Sequence, residues 1–191
     1  MKKEGFMFDE LIEKRRSIRR FKADPVQPRQ IEKLAEAALR APSSRGLNPW
    51  EFVFVTDRGM LERLATAKPH GASFLAGAAL GVVVCGNPQV SDVWVEDTAI
   101  ASIFLHLAAA SLGLGSCWIQ IRKRKHSDDV SAESFVAELL QIPVHLRVES
   151  IIAVGQPAES KPAHPRESLQ REKIHLQRHG QSFDPENAGK K

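Results

Sequence analysis

Between Glu96 and Leu112 apolar side chains occupy nearly every direction around a helix. A helix with no polar face has no side to give to water, so it needs cover all round. The rest of the chain must enclose it, or a second chain must help. Insertion in a membrane is the other way to bury such a segment, and a span needs about 20 predominantly apolar residues. Here Ser102, His106, Ser111 and Gly113 interrupt the run, and Glu96 and Asp97 stand at its start. The apolar stretch at 75–85 is too short to span. Both read as buried core, with no membrane partner.

The flanking sequence supplies the covering elements. Phe8, Leu11 and Ile12 recur at helical spacing, which predicts a short first helix. Pro28 opens a second helix over 28–40 with an apolar stripe of Ile31, Leu34, Ala35, Ala38 and Leu39. Strands are predicted at 51–56, 80–85, 116–121 and 147–155 from their β-branched and apolar bias. In the last of these, Val148, Ser150 and Ile152 alternate with Glu149, Ile151 and Ala153. Asp57 and Ser131 stand where helix N-caps belong, ahead of helices running to about 67 and 140. Gly113 and Gly115 stop the long helix. Several helices and about four strands, without a regular β-α-β alternation, predict an α+β domain. A segment from about residue 156, rich in Pro, Lys, His and Arg, has no core pattern of its own apart from a possible short helix around 167–177.

Composition is that of an ordinary globule, 42% hydrophobic and 26% charged over 191 residues, enough for one domain with a terminal extension. The net charge of +4 and pI of about 9.2 suit anionic small molecules as well as nucleic acid. Cys85 and Cys117 form no Cys-x-x-Cys pair, so buried thiols in a reducing compartment are expected, with neither zinc nor a redox motif. The start, Met1-Lys2-Lys3-Glu4-Gly5, carries no signal-peptide pattern, and a cytoplasmic protein is expected.

Three segments carry chemistry-bearing residues. Arg15-Arg16-Ser17-x-Arg19 is either a solvated helix terminus or a clamp for an anion, since arginine offers a planar fork that grips phosphate bidentately. Pro42-Ser43-Ser44-Arg45-Gly46-Leu47-Asn48-Pro49-Trp50 is either a plain connecting loop or a reader of a heterocycle edge, through an amide that both donates and accepts. Gly113-Leu114-Gly115-Ser116-Cys117-Trp118 is either a helix stop followed by a buried strand or a place where backbone N–H groups approach a flat ligand. The Gly-x-Gly closes a helix, so it is no dinucleotide fingerprint.

Other polar groups read as structural. His106 has no ligand partner three or four positions away, which fits a satisfied core histidine. Glu96-Asp97 fits the charging of a helix start. Arg122-Lys123-Arg124-Lys125-His126 is a basic loop without a nucleic-acid-binding motif around it, and no nucleic-acid partner is expected.

Taken in order, Arg-Arg-Ser-x-Arg, Ala41-Pro42-Ser43-Ser44 with Pro49-Trp50, Trp94-x-Glu96-Asp97 leading to Gly113-Leu114-Gly115-Ser116, and Ile151-Ile152-Ala153-Val154-Gly155-x-Pro157 resemble the nitroreductase family over about residues 8–178. The resemblance implies a nitroreductase-like α+β fold: a mostly antiparallel sheet of four to five strands among helices, paired as a homodimer around the long buried helix. It implies one domain over 1–191 whose C-terminal extension, from about 156, wraps the partner. FMN is the implied cofactor, held by Arg15, Arg16, Ser17 and Arg19, by Pro42, Ser43, Ser44 and Asn48 from across the dimer interface, by backbone at Gly115 and Ser116, and by Arg166. The implied activity takes hydride from NAD(P)H and passes electrons to a nitroaromatic, quinone or similar small acceptor by ping-pong exchange. Same-fold flavoenzymes with dehydrogenase, dehalogenase or flavin-processing activity are the alternative. No metal and no obligatory catalytic side chain are implied. The loop departs from the family's common Asn-x-Gln-Pro-Trp, with Gly46-Leu47-Asn48-Pro49-Trp50 in its place.

Overall fold

The structure, a computed structural model, describes residues 8–187. It divides into two units, 1–161 and 162–191.

The first unit is α+β. Its elements run α1 (Phe8–Lys14), α2 (Pro28–Leu39), β1 (Trp50–Val55), α3 (Arg58–Leu64), β2 (Leu80–Gly86), α4 (Trp94–Ser111), β3 (Gly115–Gln120), α5 (Ala132–Leu140) and β4 (Arg147–Gly155). Helix starts follow local chemistry. Pro28 sits in the first turn of α2, the Asp57 carboxylate accepts the Met60 N–H at 2.7 Å, and the Ser131 hydroxyl accepts the Ser134 N–H at 2.9 Å. Each cap stands at the residue where the sequence reading set it.

The four strands form one antiparallel sheet in the order β1-β2-β4-β3. The central strands β2 and β4 are covered on both faces, which is why they read as continuous apolar runs. Leu80, Val82, Val84, Ile152 and Val154 pack with Leu34, Ala38, Leu105 and Ala109 of α2 and α4. Val83, Ile151, Ala153 and Ile119 pack on the opposite face against Leu61, Leu64, Leu75 and Val136.

The alternation expected in β4 needs correction. Val148 joins the α3–α5 side with Ile151 and Ala153, because the β2–β4 register shifts between Val84 and Cys85, pairing Val84 with Ser150 but Cys85 with Val148. The extra residue, Glu149, breaks the simple alternation as a bulge does. Helix α4 is covered only in part by its own chain. Asp97, Ala101, Leu105 and Ala109 are buried, but Ile100 is 37% and Ile103 43% exposed. A helix apolar all round demands cover without saying which chain gives it. Among the described residues, no helix is long and apolar enough to cross a membrane.

The second unit contains 3-10 turns at Arg166–Ser168, Arg171–Lys173 and Pro185–Asn187, and a bridge pairing His175 with Ser182. The helix expected around 167–177 is thus two separate turns, and none of the residues whose burial is described in this unit is buried. With no apolar stripe to pack, a helix there has nothing to stabilise it.

Candidate functional site

Residues 15–22 run as an extended segment along the neighbouring ends of β3 and β4, which pair at Gly115 and Gly155. Ser17 pairs in parallel with Ser116, and the Ile18 N–H donates to the Ser116 carbonyl at 2.9 Å. Further along, the Lys22 N–H donates to Gln156 at 2.8 Å and the Ala158 N–H to Arg20 at 2.9 Å. Ile18 lies directly over Gly115, where a Cβ would come within 2.7 Å of the Ile18 Cγ2. Glycine at 115 is therefore required by the closeness of the clamp segment.

Beside this junction lies a cleft of about 250 Å³. Lys14, Arg15 and Arg16 line one side, Gly115 and Ser116 another, and Glu159 and Lys161 a third. The Lys161 ammonium donates to the Ser17 carbonyl at 2.7 Å and stands 3.2 Å from the Glu159 carboxylate. Glu159 in turn accepts the backbone N–H of Arg19 at 2.6 Å and of Arg20 at 3.3 Å. The Arg19 N–H, foremost, holds the Glu159 carboxyl below the usual carboxylate range. Lys14 is paired with Glu10 and Lys161 with Glu159, and with Arg15 and Arg16 the lining keeps an excess of positive charge, which suits an anion.

Of the expected clamp residues, Arg15 and Arg16 reach the cleft, while Ser17 contributes its backbone to the bridge and its carbonyl to Lys161. Arg19 lies outside the cleft lining, its guanidinium 5.7 Å from the centre of the Phe74 ring. Gly115 and Ser116 line the cleft. Glu159 and Lys161 were not singled out in the sequence, although both follow the Ile-Ile-Ala-Val-Gly-x-Pro strand directly.

His106, on α4, is buried at 5% exposure, with Nδ1 2.8 Å from the Ser116 hydroxyl. Burial first, and then the charge of Arg15, push its pKa down to about 4, so the ring is neutral. It is a core histidine with a partner. Burial also raises the Cys117 thiol above its usual range and pushes Cys85 up to about 12, as for inert buried thiols.

The 42–48 loop forms a second, separate group. The Ser43 hydroxyl accepts the Asn48 N–H and donates to the Asn48 side-chain oxygen, both at 2.8 Å. That commits the amide oxygen and leaves its NH₂ as the group the loop can offer. The Ser44 N–H donates to Asp97 Oδ1 at 2.7 Å, and the Ser91 hydroxyl to Asp97 Oδ2 at 2.8 Å. Pro42 and Asn48 are exposed. Asp97 does more than charge a helix start, because it anchors the loop to the first turn of α4.

Within one chain these groups sit at opposite ends of α4. The loop is tied to Asp97, and the cleft is lined by Ala110 at the other end. At 1.5 Å per residue the separation along the helix is about 20 Å. Arg166 belongs to the second unit, where it begins the turn Arg166–Ser168.

The basic loop has structural contacts of its own. Arg122 lies 5.6 Å from the centre of the Trp94 ring, and His126 stacks on Phe135 at 4.1 Å with its Nδ1 2.9 Å from the Thr66 carbonyl.

The arginine pair, the Ser-Ser loop and the Gly-Leu-Gly-Ser turn thus occupy defined places around one sheet and one long helix, and known proteins are similar to this chain in sequence and fold. The profile described as "Nitroreductase family" matches residues 12–84 and 65–156. A relative from Archaeoglobus fulgidus is 36% identical over 155 residues, covering 79% of this chain and 86% of its own. The oxygen-insensitive NADPH nitroreductase of Salmonella typhimurium is 31% identical over 172 residues, 82% of this chain and 68% of its own. Among solved structures, the FMN-dependent nitroreductase of Clostridium difficile R20291 superposes with a TM-score of 0.87 at 40% identity, over 88% of this chain and 98% of that one. With sequence, fold and the order of the motifs in agreement, the chain belongs to the nitroreductase family.

Proposed function

We propose that the chain binds FMN and works as an NAD(P)H oxidoreductase that reduces a nitroaromatic, a quinone or a similar small acceptor. The observation that carries this reading is the cleft itself. Arg15, Arg16 and Lys161 beside Ser116 form a set of charged and hydroxyl donors that fits a phosphate monoester. The names of the Clostridium and Salmonella relatives, which specify FMN and NADPH, support it from outside the chain. FMN, when bound, supplies the electron transfer between nicotinamide and acceptor. The chain's residues bind and orient it: Arg15, Arg16 and Lys161 neutralise phosphate charge, and backbone at Gly115 and Ser116 lets the ligand lie close. Donor and acceptor use the same slot in turn, which makes the kinetics ping-pong.

The working unit in this reading is a homodimer. Ile100, Ile103 and the half-buried Leu107 form an outward apolar stripe on α4 that a second chain would cover. Two copies of α4 packed antiparallel would bring the loop at one end beside the cleft at the other, so Pro42, Ser43, Ser44 and Asn48 complete the site of the neighbouring chain. The extension from about residue 156, with no buried residue described, embraces the partner. The reducing cytoplasm suits the unpaired thiols of Cys85 and Cys117.

The deciding experiment is a titration of the purified protein with FMN, followed by flavin fluorescence and absorption, then anaerobic addition of NADPH or NADH. Saturation at one FMN per chain, bleaching by a reduced nicotinamide and return of colour with a quinone are expected. A protein that leaves FMN fluorescence unchanged at high concentration refutes the assignment.

A further inference from the structure

Ser116 stands where the clamp, the cleft and the long helix meet. Its carbonyl accepts the Ile18 N–H, it lines the cleft with Arg15, Arg16 and Lys161, and its hydroxyl lies 2.8 Å from His106 Nδ1. The ring belongs to α4, is 5% exposed, and has the Arg15 cation near it. A neutral imidazole can carry its single proton on either nitrogen, and the hydrogen bond at Nδ1 decides which way the serine hydroxyl points. If Nδ1 accepts, the Ser116 proton is spent on the ring and only oxygen lone pairs are left for a ligand. If Nδ1 carries the proton, the ring donates to Oγ and the Ser116 O–H is left to donate into the cleft. The second arrangement adds a donor to a site already built of cationic donors, whereas the first turns lone pairs toward an anion.

We infer that His106 is a positioning residue: with its proton on Nδ1, it aims the Ser116 hydroxyl as a hydrogen-bond donor at the phosphate of the bound cofactor. The inference rests on the FMN reading for its ligand, but the tautomer belongs to the protein alone. The orienting group is thus set on a rigid helix behind the site, where packing fixes its rotamer, while the phosphate meets only the serine.

Two measurements test it. In the purified protein without added flavin, the side-chain ¹⁵N shifts of His106, assigned through His106→Asn, report the protonated nitrogen, and Nδ1–H is expected at neutral pH. FMN titrations then compare His106→Leu, Ser116→Ala and the double variant, at a temperature where thermal scans show all to be folded. Loss of a hydrogen bond to a charged group weakens binding by roughly tenfold or more. His106→Leu and Ser116→Ala should each show that loss, and the double variant should be no weaker than the weaker single one, because one bond is removed twice. His106→Asn, which keeps a donor near the Nδ1 position, should recover most of the affinity. An Nε2–H tautomer, an unchanged affinity in His106→Leu, or losses that multiply in the double variant would each overturn the role given to His106. A parent protein that ignores FMN would instead end the cofactor assignment, and the tautomer would still decide how His106 holds Ser116.

Discussion

Asp97 Oδ1 accepts the backbone N–H of Ser44 at 2.7 Å, so a buried carboxylate in the first turn of α4 fixes the shape of a loop far from it in sequence. Its other oxygen takes the Ser91 hydroxyl, and neither bond survives truncation of the side chain. Asp97→Ala should cost about 2–3 kcal/mol, the scale of hydrogen bonds to charged groups, read as a lower urea midpoint. FMN affinity should fall as well, because Ser43, Ser44 and Asn48 lose their common anchor. Asp97→Asn keeps one acceptor and should fall between. An Asp97→Ala protein as stable as the parent would show that the loop holds its own shape.

Arg16 and Arg124 separate the cleft from the basic loop. Arg16 lines the cleft, and Arg124 is an exposed side chain outside it. Arg16→Ala should weaken FMN by roughly 10- to 150-fold, the equivalent of about 1.5–3 kcal/mol, while Arg124→Ala should change little. Matching affinities in the two variants would remove the clamp from the proposal.

Glu149 gives a pH prediction. Its carboxylate lies in the interior, where Oε2 has no hydrogen-bond partner among the described residues and Oε1 receives a 3.4 Å contact from Gln120. Burial raises its pKa and outweighs the opposing effects of Ser150, Gln120 and Arg122. The folded protein therefore holds this proton more tightly than the unfolded chain does. Stability from that preference is complete below the unfolded pKa and drains away as pH rises through the raised folded one. Glu149→Gln should thus have a flatter stability profile in urea denaturation, gaining on the parent as pH rises above the usual glutamate range. A gap that stays constant or shrinks over that rise contradicts the burial argument.

Gly115→Val tests the closeness of the clamp. Even a Cβ would strike Ile18, so the larger side chain must push residues 15–19 away from β3. Overpacking of this kind costs about 1–3 kcal/mol. FMN binding should fall with it, and the second change Ile18→Ala should recover part of the stability by making room. Failure of the pair to couple in a double-mutant cycle would place the damage elsewhere.

What the sequence made legible follows from the range of each interaction. Asp57 and Ser131 cap helices through bonds to residues three positions on, and β4 runs over the residues its apolar bias marked out, so local pattern sufficed. The Glu149 bulge was hidden, because a shifted register depends on the partner strand and leaves the bulged strand's own sequence looking regular. Arg15, Arg16, Gly115 and Ser116 were found through the order of motifs, and they do meet at one cleft. Glu159 and Lys161 were not, since their partners, Arg19 and Ser17, lie at the other end of the first unit's chain and no spacing rule connects them. By motif Arg19 is one more clamp cation, but its side chain lies by Phe74, and its part beside the cleft is a backbone N–H on Glu159.

The two ends of α4 lead to the prediction that reaches furthest. Arg16 lines the cleft at the C-terminal end, and Ser43 shapes the loop tied to the N-terminal end, about 20 Å away along the helix. If one chain built a complete site, both changes would damage the same site and no mixture could repair it. If sites form between antiparallel chains, a heterodimer of Arg16→Ala and Ser43→Ala carries both lesions in one site and leaves the other whole. Co-refolding equal amounts of the two variants should then give half of the dimers as heterodimers. Tight FMN binding should return to about one site in four of the mixture, while neither variant alone shows it. Light scattering should report a dimer, and Ile103→Glu, which puts a charge on the exposed stripe of α4, should yield monomers that bind FMN poorly. Obligate interfaces of the required kind bury on the order of 2,000 Å² or more, so dilution of the parent should release flavin only as the dimer itself dissociates. A monomeric parent that holds FMN tightly, or a co-refolded mixture that recovers no tight sites, would place both groups of residues on one chain's site and leave the outward face of α4 without the role given to it.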